Sequence, residues 1–186
     1  MKPKFLLFFL LYISTIKVLL ADEPPCWGKF EVKSKNLKFI AVVQRINEDS
    51  LKEPWDSRWT LTVYENINHI KKMIWSTMYD YSGYPEGALS DDGKYFVYIE
   101  SWYSEKKPLA QIYKSGKHVN SSSLTGEKFH IPSNKIMKSA SHKLWLDMTG
   151  IKGFKKSKGH LVYLLTTLDK QTHIINLENG SIETIE

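Results

Sequence analysis

Six histidines, His69, His118, His130, His142, His160 and His173, are the side chains best suited to ligating a metal or moving a proton. No two of them stand at helical i, i+4 spacing and no His-Glu-x-x-His occurs, so the helix-borne zinc motif is absent. A metal centre would need distant strands to converge. Asp91, Asp92 and Glu86 offer carboxylates for calcium, but the alternating oxygen ligands and terminal glutamate of a calcium loop are missing, and turn formation accounts for these residues. Ser139 and Ser141 place hydroxyls beside His142. A nucleophilic triad meets in space rather than in sequence, and no Gly-x-Ser-x-Gly elbow is present. No glycine-rich phosphate cradle is present either. Sequence thus assigns no catalytic residue, metal ligand or cofactor, and an enzyme is the less favoured reading.

The aromatic side chains are the stronger functional pointer. Trp55, Trp59, Trp75, Trp102, Tyr103 and Trp145 join Tyr79, Tyr81 and Tyr84 in a chain that is 13% aromatic. Core filling accounts for most tryptophans. Tyr79-x-Tyr81-x-x-Tyr84 falls in a stretch rich in Gly, Pro and Ser, where exposed rings stack on sugars or on partner side chains. The candidate ligand-binding residues are Tyr79, Tyr81, Tyr84, Trp102 and Tyr103. A second candidate is the basic stretch Lys152, Lys155, Lys156 and Lys158, spaced by Gly150, Gly153 and Gly159. It reads either as a solvated loop or as a contact for an anionic surface, lipid headgroup or polyanion.

The elements that position these residues begin after an export pattern. Lys2 and Lys4 precede an apolar run, Phe5 to Ile16, followed by Val18 to Ala21 and the break Asp22-Glu23-Pro24-Pro25. This reads as a signal peptide over residues 1–21, or as an uncleaved signal-anchor, because Leu19 occupies a position where a small residue is preferred for cleavage. Residues 22–29 follow as a linker and 30–186 as one β-rich domain. The expected location is periplasmic or secreted, with a membrane-anchored form through residues 5–20 as the alternative. Removing residues 1–21 leaves 165 residues, enough for one domain with a real core. Three of the 26 basic residues leave with that segment, so 23 basic residues face 20 acidic ones, and so mild a surplus does not point to nucleic acid. Cys26 is the single cysteine, which excludes an internal disulfide and a cysteine-based zinc site. Asn120-Ser121-Ser122 and Asn179-Gly180-Ser181 match the glycosylation acceptor pattern and are read as turns.

From Phe30 onward the apolar period is two, as strands require. Strands are expected at 38–46, 59–64 and 70–75, then at 94–102, 109–114 and 117–124, and again at 160–167, 172–177 and 181–185. Asp92-Gly93, Ser115-Gly116 and Asn179-Gly180 are the turns between them. One theme therefore occurs three times: long strand, loop, strand, tight turn, strand. Its first strands begin near Lys38, Lys94 and His160, with 56 and 66 residues between starts. Segments 85–89 and 142–146 are candidates for innermost strands.

Leu89 to Thr125 resembles the repeat of TolB-type and WD40-like β-propellers, with Ser90, Asp92, Gly93, Ile112, Tyr113, Gly116 and Thr125 in step with it. Thr172 to Ile185 resembles the outer hairpin of such a blade. The resemblance implies an all-β fold of antiparallel sheets in propeller-like blades, an incomplete or small propeller, with a β-sandwich as the alternative. A closed propeller has at least four blades. A degenerate fourth blade in 126–158 or an open stack would reconcile that with three evident ones, and an open stack exposes strand edges that invite self-association. The family's role of binding partners on a rigid disk implies a non-catalytic binding or scaffold protein of the cell envelope with a protein or glycan partner. An envelope-polymer hydrolase using His142, or a carbohydrate-binding module, are the alternatives.

Overall fold

A computed structural model describes residues 25–47, 51–68, 70–103, 110–119, 129–138 and 142–185, with the side chains of Trp102 and Tyr103 left aside. The signal or anchor segment, His69, Asn120, Ser139 and Ser141 lie outside the described residues. The described residues contain no α-helix, and the fold is all-β with four antiparallel sheets.

Three of these sheets are four-stranded, and each is built almost wholly from consecutive strands. The first runs β1 (Phe30–Lys33), β2 (Phe39–Arg45), β3 (Trp59–Ile67) and β4 (Ile70–Tyr79) in spatial order. The second runs β5 (Ala88–Leu89), β6 (Tyr95–Ile99), β8 (Ala110–Lys114) and β9 (Lys117–His118), and the third β12 (Lys152–Ser157), β13 (His160–Thr166), β14 (Thr172–Asn176) and β15 (Ile182–Ile185). A three-stranded sheet joins β10 (Met137–Lys138), β11 (Lys143–Leu144) and β7 (Trp102–Tyr103).

Local chemistry sets these ribbons. The central strands are rich in β-branched and aromatic residues that suit a pleated surface. Two hairpins turn on residue pairs that both take positive φ, Ser115 and Gly116 (47° and 80°) and Lys158 and Gly159 (48° and 82°), the twist that matches flanking strands. Before β6, Ser90 Oγ donates to Asp92 Oδ1 at 2.6 Å and accepts from the Tyr95 amide at 2.9 Å, while Gly93 turns at φ 69°. A Cβ at Gly93 would stand 2.5 Å from Phe39 Cδ1, so this corner packs directly on the first sheet.

The second sheet is the middle layer. On β6, Phe96 and Tyr98 face the first sheet, where they meet Ala41, Val43, Leu61, Val63 and Trp75. Tyr95, Val97 and Ile99 face the third, where they meet Tyr163, Leu165, Ile175 and Leu177. Every residue of β6 is buried, which is what a strand covered on both faces requires. Each fully buried apolar side chain contributes about 1.5–3 kcal/mol of transfer free energy. Glu178 ties the layers at their margin, accepting from Tyr95 Oη and Lys114 Nζ of the second sheet. The result is a stack of three blade-like sheets with no closed ring among the described residues, in agreement with an incomplete propeller or a sandwich.

Several expectations are corrected. Each four-stranded sheet begins one strand earlier than the three-strand theme suggests. For the second sheet that strand is β5, inside the anticipated segment 85–89. For the third it is β12, not 142–146. The basic stretch read as a loop is therefore largely a strand, folded onto β13 by the Lys158-Gly159 turn. Lys143 and Leu144 instead form the middle of the small sheet, so 126–158 supplies no fourth four-stranded blade among the described residues. The long strand expected over 94–102 divides at Glu100 and Ser101. There the Glu100 carbonyl accepts from Trp145 Nε1 at 2.6 Å, and Trp102 and Tyr103 pair with β11, which steers the chain into the small sheet. Residues 25–29 are no free linker: the Cys26 amide donates to Gly83 O at 2.7 Å, and Trp27 packs edge-on against Tyr81 at 5.3 Å.

Candidate functional site

The strands β1, β5 and β12 each stand at the edge of their sheet, and the stacking brings these three edges around one cavity of about 600 Å³. Its floor is apolar, formed by Val32, Ala88, Leu89, Phe154 and Leu161. Its rim is basic: Lys33 and Lys35 from the first sheet and Lys152, Lys155 and Lys156 from the third, with Asp91 between them. Lys155 and Lys156 are sequence neighbours on opposite faces of β12, yet both border the cavity because β12 has no strand on its outer side. Gly87 lines the same space. A Cβ there would lie 2.4 Å from Phe96 Cζ, so only glycine lets the chain enter β5 this close to the Phe96 ring of β6.

The carboxylates near the rim are engaged. Asp91 Oδ1 accepts from the Asn36 amide at 2.8 Å, and the Asn36 side-chain amide donates to Asp91 O at 2.8 Å, which pins the β1–β2 turn to the second sheet. Glu86 Oε2 lies 3.4 Å from Lys152 Nζ. Five lysines against these two carboxylates leave a local surplus of three positive charges. Apolar walls lower the local dielectric and strengthen the field such a surplus creates. Chemically, the arrangement can attract and hold oxyanions, with the edge strands offering backbone N–H donors beside the ammonium groups.

The aromatic candidates lie elsewhere. Tyr79 closes β4 and is 4% exposed, and Tyr81 is 5% exposed. The Tyr81 ring meets Trp59 edge-on at 4.7 Å and its hydroxyl donates to Cys26 O at 2.9 Å. Burial pushes the Tyr81 hydroxyl up to about 12 and raises Tyr79 well above its ordinary value. The expectation that these two rings form an exposed contact surface is thus overturned: both are core residues, and the hydroxyl of Tyr81 already has a partner. Tyr84 is half-buried in the following loop. Trp102 and Tyr103 form β7, paired with Leu144 and Lys143. The structure does not bring the five into one ligand-facing surface.

The described histidines do not gather into one site either. His118 stacks on Tyr113 at 4.7 Å, His130 and His160 are exposed, and His142 is half-buried. His173 is buried between two hydroxyls, with Nε2 3.0 Å from Thr167 Oγ1 and Nδ1 3.0 Å from Thr184 Oγ1. No group of three or more metal-ligating side chains occurs among the described residues. Asp92 is committed to its turn, where it also accepts from the Lys94 amide at 3.1 Å.

Sequence reasoning singled out the lysines of β12 but missed Lys33 and Lys35. Nothing in their local pattern marks them, since they become functional candidates only when β1 and β12 face one another. Neither protein-family models, nor curated proteins, nor solved structures yield a match to this chain.

Proposed function

We propose that this protein is an exported, non-catalytic binding module with a propeller-like body, and that its groove between β1, β5 and β12 takes an anionic ligand. The observation that carries the reading is the lysine rim, three charges in surplus, around a cavity of about 600 Å³ with an apolar floor. The lining holds one carboxylate, Asp91, already bonded to a backbone amide, and no histidine. Such a site suits recognition of charge better than proton transfer. The groove is bounded by strand edges, so it accommodates an extended chain: an acidic glycan or polyphosphate of the cell envelope fits its length and sign. Export is supported by the sequence of residues 1–21, and a scaffold role by the rigid stack of sheets.

Titration calorimetry with two probes, tripolyphosphate and an oligogalacturonate, tests the reading. At low ionic strength at least one should bind, more weakly as salt rises, because screening shortens the reach of the lysines. The double substitution Lys155→Glu with Lys156→Glu should weaken binding about tenfold or more, with circular dichroism unchanged. Equal affinity in the variant, or no binding of either probe, overturns the proposal.

A further inference from the structure

The end of the first sheet opposite the Lys38 turn collects exposed apolar side chains where the chain enters the domain. The connection from β2 to β3 carries Leu51, wholly exposed, and Trp55, 61% exposed. Trp55 is held outward by a 3-10 turn over Pro54–Asp56: Trp59 Nε1 donates to Pro54 O at 3.1 Å and the Asp56 amide to Glu53 O at 3.0 Å. The Trp59 ring lies 6.3 Å from Trp27, and Tyr81, against both rings, donates to Cys26 O. The Trp55 turn and residues 25–27 are therefore one side chain apart. Met78, 53% exposed, pairs with Thr60 at the same end of the sheet.

The apolar sequence upstream ends at Ala21. Four residues on lies Pro25, a leash that spans at most about 14 Å. We infer that this end of the domain seats on a lipid bilayer, with Trp55 and Leu51 at headgroup level beside residues 25–27, the described residues nearest in sequence to that apolar run. An indole has an apolar body and a polar N–H, and it partitions to that boundary. A rigid turn presents it there without first having to be ordered. The loop's charges nearly cancel: Arg45, Lys52 and Arg58 oppose Glu48, Asp49, Glu53 and Asp56. Attraction to anionic lipid is therefore not the driving term, and zwitterionic lipid suffices.

The test uses the full chain reconstituted in phosphatidylcholine vesicles, part of whose lipid carries bromine near the headgroup. Trp59, Trp75 and Trp145 are buried and out of reach of the bromine. Wild-type tryptophan emission should be quenched. Trp55→Phe should lose at least half of that quenching, and Leu51→Ser, which keeps every tryptophan, should lower it by a smaller factor. Both changes are on the surface, so unaltered circular dichroism is expected. Quenching that is the same in Trp55→Phe as in wild type, or a chain that fails to float with the vesicles, overturns the inference. Tryptophan emission shielded by a soluble glycan or protein instead of by vesicles also overturns it.

Discussion

Between the first and second sheets the core is aromatic, with Trp59, Trp75, Tyr79, Tyr81, Phe96, Tyr98 and Tyr113 as its bulk. Between the second and third it is mainly aliphatic, with Val97, Ile99, Ile112, Leu146, Leu165, Ile175 and Leu177 around Trp145, Phe129 and Tyr163. The aromatic side is also a polar network. Trp75 Nε1 donates to Gly93 O at 2.8 Å, Tyr98 and Ser82 share a bond of 2.6 Å, and Tyr113 donates to Gln111 Oε1 at 3.0 Å. The aliphatic side has two conspicuous polar inclusions among the described residues, the Trp145 indole on Glu100 O and His173 between Thr167 and Thr184. One interface is thus fixed by directional bonds as well as area, the other chiefly by shape and burial. That contrast explains why Tyr79 and Tyr81, in a stretch that resembles a ligand surface, are interior here: their rings belong to the aromatic core, and the Tyr81 hydroxyl donates to Cys26 O.

Three measurements probe the contrast. The largest effect is expected from Trp145→Ala on the aliphatic side. This side chain is fully buried and its indole donates to Glu100 O, so truncation should lower stability by about 3–5 kcal/mol in urea unfolding. A loss under 1 kcal/mol would mean that this interface does not depend on close packing.

The next effect is a pH slope. Burial lowers the His173 pKa below the ordinary histidine value, opposed by Asp169 and assisted by His130, while Phe129 packs edge-on at 5.2 Å. The folded state then keeps the ring neutral where the unfolded chain takes a proton. Stability is complete above the unfolded value of about 6.5 and falls as pH drops through it, with a slope no steeper than about 1.4 kcal/mol per pH unit. His173→Phe should flatten the slope between pH 7 and pH 5, and an unchanged slope assigns it to another group. The smallest effect belongs to the aromatic side. Tyr81→Phe keeps the ring stack and removes one bond to Cys26 O, for about 1 kcal/mol. A loss several times larger would show that the hydroxyl organises the packing of residues 25–27.

The strands with alternating pattern and glycine corners, β2, β3, β6, β8, β13 and β14, are legible in the sequence because each carries its own period and turn chemistry. Edge strands β4, β9 and β15 are legible too, but β1 and β12 are not. Lys-Gly-Phe-Lys-Lys-Ser has one large apolar residue, and only pairing with β13 makes it a strand. The break at Glu100 is equally hidden, since Lys94 to Trp102 reads as continuous and the interruption comes from distant partners, the Trp145 indole on Glu100 O and β11 beside Trp102 and Tyr103. The groove is the least legible feature. Its three walls are spread from Val32 to Leu161, and a surplus of charge around a space is a property of the stack, not of any segment. Lysines on edge strands also discourage unwanted strand pairing, so their type alone does not disclose a site.

Each four-stranded sheet is made almost wholly of strands that follow one another along the chain, and among the described ladders the pairing of Trp102 with Leu144 is the longest reach. A polypeptide delivered N-terminus first can therefore finish residues 30–79 as a ribbon before 88–118 emerge, and finish those before 152–185. Short closures of this kind carry little entropic penalty. Threading order and building order coincide, and the third ribbon brings β12 to the groove, so the lysine rim, begun at Lys33, is complete only after that ribbon has emerged.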